Sequence, residues 1–450
     1  MKVCLILPPS AFLLDDRVFT SLGILRVAAV LLQQGIQVDF LDLSGKKDYL
    51  SEVESYEGAN VFGITATTPQ LPNAVQISRA LRKKGKVILG GPHVSLVNGA
   101  FKRVGGRAIT ALRELHQEFD VLVAGDGEEA INAAIALDKG LIDADDPKSA
   151  LFLTNQRYNE LPFPARQLVD LDSYHYEIDG ERATSLIAQL GCPFECGFCG
   201  GRNTAFLRKI RTRTSESIVK ELRFLYETYG YKGYMFHDDE LNVNKQVVDL
   251  MRQVRGLQDD LGVEFRCRGF IKAELFTEEQ AKALYEAGFR WLLVGFESGS
   301  PRILKNIKKK ATREQNTRCR EIAAKYGLKV KALMSIGHPG ESFESIQETR
   351  DWVRQIQPDE LDVTIIAVYP GTDYYDRAVE TEHGWTYTVN EDRLHSEDID
   401  VRFVNNYYKG APDAYKAFVH TDYLSATDLI KLRYEAETEL RGFLGLRGLK

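Results

Sequence analysis

The sequence predicts an α/β protein made of two successive strand–helix series and a shorter closing segment. Short apolar runs alternate with amphipathic stretches through residues 1–137, and the same rhythm resumes at Thr184. Between them, residues 138–182 hold an Asp-Ala-Asp-Asp-Pro run and Leu161-Pro162-Phe163-Pro164 without a sustained period, as a linker would. At 450 residues the chain is also too long for one small core. Strands that alternate with helices imply right-handed crossovers and parallel sheets covered on both faces.

In the first series, strands are expected at Val3–Leu7, Val38–Leu41, Val61–Ile64, Val87–Leu89 and Val121–Ala124. A helix bearing Leu22, Leu25, Ala29 and Leu32 on one face, closed by Gly35, fills the first gap; Asn73–Lys84 and Ala108–Glu118 supply two more. In the second series, strands are expected at Thr184–Leu190, Gly233–Phe236, Val263–Arg266, Trp291–Phe296, Val330–Ile336 and Leu361–Val368. The intervening helices are Glu216–Tyr229, Lys245–Asp259, Thr277–Ala287, Arg313–Lys325 and Phe343–Ile356, with Gly230, Gly288 and Gly327 where C-caps belong. Six such strands across residues 183–379 suit a partial (β/α)6 barrel, whose chemistry lies at the strand carboxyl ends. Residues 380–450 are expected as a small α-rich extension. It is rich in aromatics (Trp385, Tyr387, Tyr407, Tyr408, Tyr415, Phe418, Tyr423) and ends in a helical run, Ala426–Phe443. A cap over the barrel mouth, closing on substrate, and plain packing both suit it.

Composition narrows the function classes. Net charge is −6, with 58 Lys and Arg against 64 Asp and Glu and no long basic block, so no nucleic-acid or anionic-membrane surface is expected. No apolar run approaches the ~20 residues of a membrane span, and Met1 leads into a short strand rather than a signal peptide. Cytoplasmic residence is the expectation. Cys4, Cys267 and Cys319 are scattered singly and read as packing residues. Cys192, Cys196 and Cys199 lie within eight residues, which in a reducing compartment suggests a metal site.

The stretch Gly191-Cys192-Pro193-Phe194-Glu195-Cys196-Gly197-Phe198-Cys199-Gly200 follows a strand directly. A tetrahedral zinc or an ordinary electron-transfer cluster has four protein ligands. Three thiolates on one loop leave a position vacant, or else a histidine completes a zinc site, or the loop is purely structural. Cys-x-x-x-Cys-x-x-Cys with an aromatic, Phe198, before the last cysteine resembles the signature of the radical S-adenosylmethionine (SAM) superfamily. That resemblance implies a [4Fe–4S] cluster on Cys192, Cys196 and Cys199, with one iron open to the amino and carboxylate groups of SAM. It also implies that one electron, from a flavodoxin- or ferredoxin-type reductant, cleaves SAM to a 5′-deoxyadenosyl radical.

The other strand ends resemble the superfamily in order and spacing. Phe236-His237-Asp238-Asp239-Glu240 ends the second strand, and the resemblance makes Asp238 and Asp239 acceptors for the SAM ammonium. Arg266 and Arg268, near the third, could hold its carboxylate or neutralise the cluster; a surface ion pair is the plain alternative. Glu297 and Ser298 of Gly295-Phe296-Glu297-Ser298 match a stretch that contacts ribose and the amino-acid part, although either could instead cap the next helix. Gly337 and Pro339 match the turn beside adenine, and Tyr369 of Val368-Tyr369-Pro370-Gly371-Thr372 completes the series.

The first series resembles the Rossmann-like domain of the cobalamin-binding group of radical SAM proteins. The residues carrying this are Leu7-Pro8-Pro9, Ser21-Leu22-Gly23, Thr65–Thr68, Gly90-Gly91-Pro92-His93 and Gly125-Asp126-Gly127-Glu128. The resemblance places cobalamin against Pro8, Pro9, Thr65, Thr67, Gly90, Gly91, His93, Gly125 and Glu128. The Asp-x-His-x-x-Gly motif that ligates cobalt in other cobalamin enzymes is absent, as it is in many members of this group. The expected function is cobalamin-dependent methylation of an unactivated carbon in a small-molecule or peptide substrate. One SAM methylates the cofactor, and a second yields the radical that abstracts hydrogen. Non-methylating radical chemistry (rearrangement, cyclisation or 3-amino-3-carboxypropyl transfer) is the alternative, and a cobalamin or redox sensor the remote one.

Overall fold

The protein, a computed structural model, is described here for residues 1–10, 13, 15–404, 406–407 and 415–446, so Tyr408 lies outside the described residues. The first series forms β1 (Lys2–Leu7), β2 (Gln37–Asp42), β3 (Val61–Thr65), β4 (Lys86–Gly90), β5 (Val121–Gly125) and β6 (Gly140–Ala144). All pair in parallel, in the order β2-β1-β3-β4-β5-β6. The order reverses between β1 and β3, the place where open sheets of this kind bind ligands. Alternate side chains divide between two cores, as the period of a strand requires. Val3 and Leu5 pack with Ile24, Ala28 and Leu31 of helix Leu22–Gln33 and with Ile131 and Ala134 of helix Gly127–Ala136. Cys4 and Ile6 face the opposite core, with Leu71, Val75, Val94, Val97, Leu112 and Leu115 from helices Leu71–Leu81, Pro92–Val104 and Arg107–Glu118.

The linker expected over residues 138–182 holds β6, a helix (Asn155–Glu160), β7 (Glu177–Ile178) and the start of β8 (Glu181–Leu186). β9 (Gln189–Leu190) and β10 (Arg211–Thr212) form a small antiparallel pair at the base of the cysteine loop. β11 (Gly233–Phe236), β12 (Arg266–Phe270), β13 (Phe289–Glu297), β14 (Lys329–Ile336) and β15 (Glu360–Ile365) join β8 in a six-stranded parallel sheet, with β7 as an antiparallel edge. This is the partial barrel expected from the sequence, with two departures: the first strand, expected at Thr184–Leu190, breaks after Leu186 into β8 and β9, and the third is displaced. The third strand was expected at Val263–Arg266, but it begins at Arg266. The preceding helix runs to Leu261, Gly262 ends it in a left-handed conformation, and the Phe265 amide donates to Gln258 Oε1 at 2.7 Å, leaving Val263–Phe265 as the connection.

The extension is more than helical. β16 (Val379–Thr381), β17 (Gly384–Val389), β18 (Asp392–Ser396) and β19 (Val419–Thr421) form an antiparallel sheet ahead of helix Ala426–Phe443. That helix lies along the open edge of the barrel. Buried Arg433 and Arg441 donate to the Val363 and Leu361 carbonyls at 2.9 and 2.8 Å, satisfying edge groups of β15. The extension also reaches the first domain: Arg107 is stacked between the Tyr375 and Trp385 rings and pairs with Asp398.

Candidate active site

The cysteine loop leaves β9 through Gly191, whose φ of 89° is left-handed. A Cβ there would lie 2.3 Å from the Lys209 carbonyl oxygen, so glycine is required for the loop to turn. The Cys192 amide donates to the Leu207 carbonyl at 3.0 Å, and the Cys199 amide to that of Cys196 at 3.1 Å. Gly197 is gripped from both sides, donating to Ile307 O at 2.9 Å and accepting from the Tyr374 amide at 3.3 Å, while a Cβ on it would strike the Tyr374 ring at 2.7 Å. Phe198 anchors the loop among Ile303, Leu304 and Ile307, with its ring 5.3 Å from that of His338. Tyr369 packs on Gly200, where an added Cβ would be 3.1 Å from its ring. Among the described residues no three His, Cys, Asp or Glu side chains converge on a single ion. A cubic cluster asks for something else, since each thiolate binds a different iron.

Burial pushes the Cys192 thiol up to about 12 and raises that of Cys196, so in the free loop both are protonated. Two cations oppose this at Cys196: Lys309 and Lys272. Both are almost fully buried. Lys309 Nζ lies 2.9 Å from Glu297 Oε1; Lys272 Nζ donates to the Lys309 carbonyl at 3.1 Å and sits 4.1 Å from the Phe194 ring centre. Burial disfavours the charge on Lys309, but Glu297 and Cys196 outweigh it and hold the ammonium protonated. These lysines, rather than Arg266 or Arg268, supply positive charge beside the cysteines.

Several side chains expected to meet SAM are engaged with the protein. Asp238 accepts from the Ala188 and Gln189 amides at 3.2 and 2.5 Å, tying the end of β11 to the strand that precedes the loop. Asp239 accepts from the Gly191 amide. The neighbouring Glu240 keeps a buried carboxylate oxygen, Oε2, without a hydrogen-bond partner, and burial raises its pKa to about 7. The acidic turn therefore offers its open acceptor one residue later than expected. Glu297, in the left-handed region at φ 65°, receives Lys309 and the Ser335 hydroxyl (2.7 Å). Burial opposes its ionisation, but Lys309 and Ser335 prevail and its pKa is lowered. Ser298 bonds Thr349 Oγ1 at 3.1 Å and caps the Ser300 amide. Gly337 packs against Ile365, Leu429 and Val419, and the Pro339 carbonyl accepts from Asn306 at 2.9 Å. Arg266 stands at the start of β12, away from the strand's carboxyl end, and pairs with Glu264 at 3.1 Å.

A cavity of about 700 Å³ lies between the carboxyl ends of the first sheet and the barrel. Leu5, Leu7, Gly63, Thr65, Thr67, Gly90, Gly91, Gly125 and Glu128 line it on one side; Ile187, Leu190, Met235, His237, Arg268, Phe270 and Leu293 line it on the other. A Cβ on Gly23 would meet nothing within 4 Å, and one on Gly90 only Val123 at 3.9 Å, so both open the wall for a bulky group. Arg26 lines the cavity too and is buried, with its Nε unpartnered. Of the residues expected against cobalamin, Pro8, Pro9 and His93 are not brought to the wall. The Pro8 and Pro9 carbonyls accept from Gln70 and Asn73, and the His93 ring is buried 3.0 Å from Thr68 Oγ1. His237, Asp239 and Cys199 are accessible although they lie deep in the molecule, so their exposed surface faces internal space rather than the outer surface.

Residues 17–135 match the B12 binding domain and residues 186–353 match the radical SAM superfamily. The chain carries a radical SAM domain. It carries the B12-binding domain ahead of the radical SAM domain, and is a radical SAM enzyme whose cofactors are a [4Fe–4S] cluster, SAM and cobalamin. Similar curated proteins include an uncharacterized methyltransferase of Pyrococcus horikoshii, 27% identical over 84% of this chain and 83% of its own. Another is the bacteriochlorophyllide d C-12(1)-methyltransferase of Chlorobaculum tepidum, 24% identical over 78% and 72%. The fold is shared with the radical SAM methyltransferase TsrM of Kitasatospora setae (TM-score 0.69, 17% identity, 98% of this chain and 88% of that one) and with OxsB (TM-score 0.61, 16%, 84% and 55%).

The site of this radical SAM enzyme fits those groups by its own chemistry. Three thiols on one tightly held loop are a cluster's donors, the orphan Glu240 oxygen is an acceptor for a ligand's ammonium, and the glycine-lined cavity suits a large cofactor. Sequence reasoning singled out neither Lys272 nor Glu240 as a ligand-facing group. The Lys308–Lys310 run after the fourth strand was a visible signal for Lys309, since a lysine triplet beside an acidic strand end is a natural ion-pair source.

Proposed function

We propose that this radical SAM enzyme transfers a methyl group to a carbon atom of a small-molecule or peptide substrate, with cobalamin held between its two domains. When bound, the cluster and SAM supply a carbon-centred radical, and cobalamin supplies a transferable methyl group. The observation that carries the reading is the cavity, because one space is walled by both the B12-binding domain and the barrel. Methyltransferase relatives along most of the chain support it.

The chain's own residues do the positioning. Gly191, Gly197 and the Tyr374 amide fix the three thiols. Lys272 and Lys309 offset the negative charge of thiolates in a buried setting, where unscreened charges act strongly. Met235, Phe270 and Leu293 make the barrel side of the cavity apolar, which suits radical chemistry on an inert C–H bond. Reductive cleavage of SAM calls for a one-electron donor of the flavodoxin or ferredoxin type, and cluster thiols that must stay reduced suit a cytoplasmic setting.

A cyclase of Rubrivivax gelatinosus, the anaerobic magnesium-protoporphyrin IX monomethyl ester cyclase, is 23% identical over 76% of this chain, so non-methylating chemistry is the competing reading. The reduced protein, loaded with cobalamin and given SAM and a metabolite extract, separates the two. Methyl transfer releases S-adenosylhomocysteine as well as 5′-deoxyadenosine. Release of 5′-deoxyadenosine alone would contradict methylation.

A further inference from the structure

Arg268 sits in the middle of β12 and lines the cavity from the barrel side. One guanidinium nitrogen, Nη1, donates to the Tyr176 hydroxyl, while the buried Nε has no partner. Among the described residues Arg268 forms no ion pair. Carboxylates elsewhere on the wall are engaged: Asp16 with the Ser10 and Gly45 amides at 2.7 and 2.8 Å, Asp15 with His175 at 3.1 Å, and Asp126 with Arg211 at 2.5 Å, while Glu128 lies in the field of Arg26. A guanidinium stays charged at any pH a protein survives, and an uncompensated charge in such surroundings is costly unless a ligand neutralises it. The surrounding wall is aromatic and apolar. The Phe19 ring lies 4.6 Å from Tyr176 and 5.0 Å from His237, and Met235, Phe270 and Leu293 complete it. His237 is neutral, because burial, reinforced by the Arg268 charge, lowers its pKa to about 4. It therefore adds no second cation.

We propose that the substrate carries a carboxylate that docks on Arg268, with its planar or apolar body lying against Phe19, Tyr176 and Phe270. The proposal rests on the cavity being the reaction space. The Nε–Nη2 edge of a guanidinium matches the two oxygens of a carboxylate. The other guanidinium on the wall, Arg26, lies in the field of Glu128 and Glu221, so among the described residues Arg268 brings the one uncompensated positive charge there, which balances a carboxylate's single charge rather than the two of a phosphate monoester. Tyr176 fixes the plane of the fork, so docking sets the orientation of the attached carbon skeleton in the cavity.

The test uses 2-naphthoate and its uncharged amide, 2-naphthamide, as probes on the reconstituted, cobalamin-loaded protein, read by titration calorimetry. Wild type is expected to bind the acid at least tenfold tighter than the amide, Arg268→Gln to lose that preference, and Arg268→Lys to retain part of it. Equal binding of the two probes by wild type, or a preference that survives in Arg268→Gln, would overturn the proposal. So would Arg268→Gln losing cobalamin while its probe preference is intact, because the cation would then serve the cofactor. Should Arg268→Gln fail to fold, the wild-type preference and Arg268→Lys still decide. Release of 5′-deoxyadenosine by the wild-type chain is read separately. Its absence would sink the radical reading without touching the probe preference.

Discussion

Replacing Glu221 tests how the two domains are locked together around the site. Its carboxylate receives Arg166 at 2.9 Å and Arg213 at 2.5 Å, and all three side chains are at most 4% exposed. Arg26, from the first domain, contributes to the same field. Glu221→Gln would strand two buried guanidinium groups, a loss of about 3–5 kcal/mol by the usual cost of removing one partner of a buried pair. The pH dependence follows from the same geometry. Burial raises the pKa of Glu221, but the three arginines outweigh it and bring it from 4.5 to about 2. A depressed carboxyl stabilises the fold fully above its unfolded value and loses that contribution as pH falls through the folded one, here about 3 kcal/mol between roughly pH 4.5 and 2. Urea denaturation followed by circular dichroism, at pH 7 and at steps down to pH 3, should show a large gap between wild type and variant that narrows on acidification. A gap below about 1 kcal/mol at pH 7, or one that widens in acid, would refute the reasoning.

Two further substitutions probe the site itself. Gly191→Ala forces a side chain into the left-handed region, costing about 1–2 kcal/mol, and drives a Cβ against the Lys209 carbonyl. Iron counting after anaerobic reconstitution should find less than half the wild-type content, and full content would contradict the tight turn. Gly90→Ala adds a methyl group whose nearest neighbour is 3.9 Å away, on the cavity wall. Its melting temperature should stay within a few degrees of wild type while cobalamin affinity, read from the visible spectrum, falls tenfold or more; unchanged affinity would mean that the cofactor does not approach β4.

The parts of this molecule that could be read from its sequence are those whose signals are local. Helices Arg313–Lys325 and Phe343–Ile356 have the bounds expected, because each carries a capping box at its start, Thr312 with Gln315 and Ser342 with Ser345. The cysteine trio is likewise a local pattern. Helix Pro92–Val104 escaped because Gly90-Gly91-Pro92-His93 looks like a turn and the helix that follows is rich in weak helix formers, with Val94, Ser95, Val97, Asn98 and Gly99. β6 was hidden by its Asp143 and its lack of alternation, and β12 was placed too early because Gly269 near its end reads against a strand. The extension's sheet lay inside an aromatic stretch that reads equally well as loop. What no local pattern could give is partnership: Lys272 meets Lys309 across 37 positions and Arg268 meets Tyr176 across 92, so the charges that shape the site emerge only when the barrel closes.

The central claim is that Cys192, Cys196 and Cys199 hold a cluster with one iron left for SAM. Electron paramagnetic resonance of the reduced, reconstituted protein, recorded with and without SAM, tests it most directly. Direct ligation predicts that the g-values of the cluster shift when SAM is added and that alanine at any of the three positions abolishes the signal. A spectrum indifferent to SAM, or one that survives loss of a cysteine, would contradict the account.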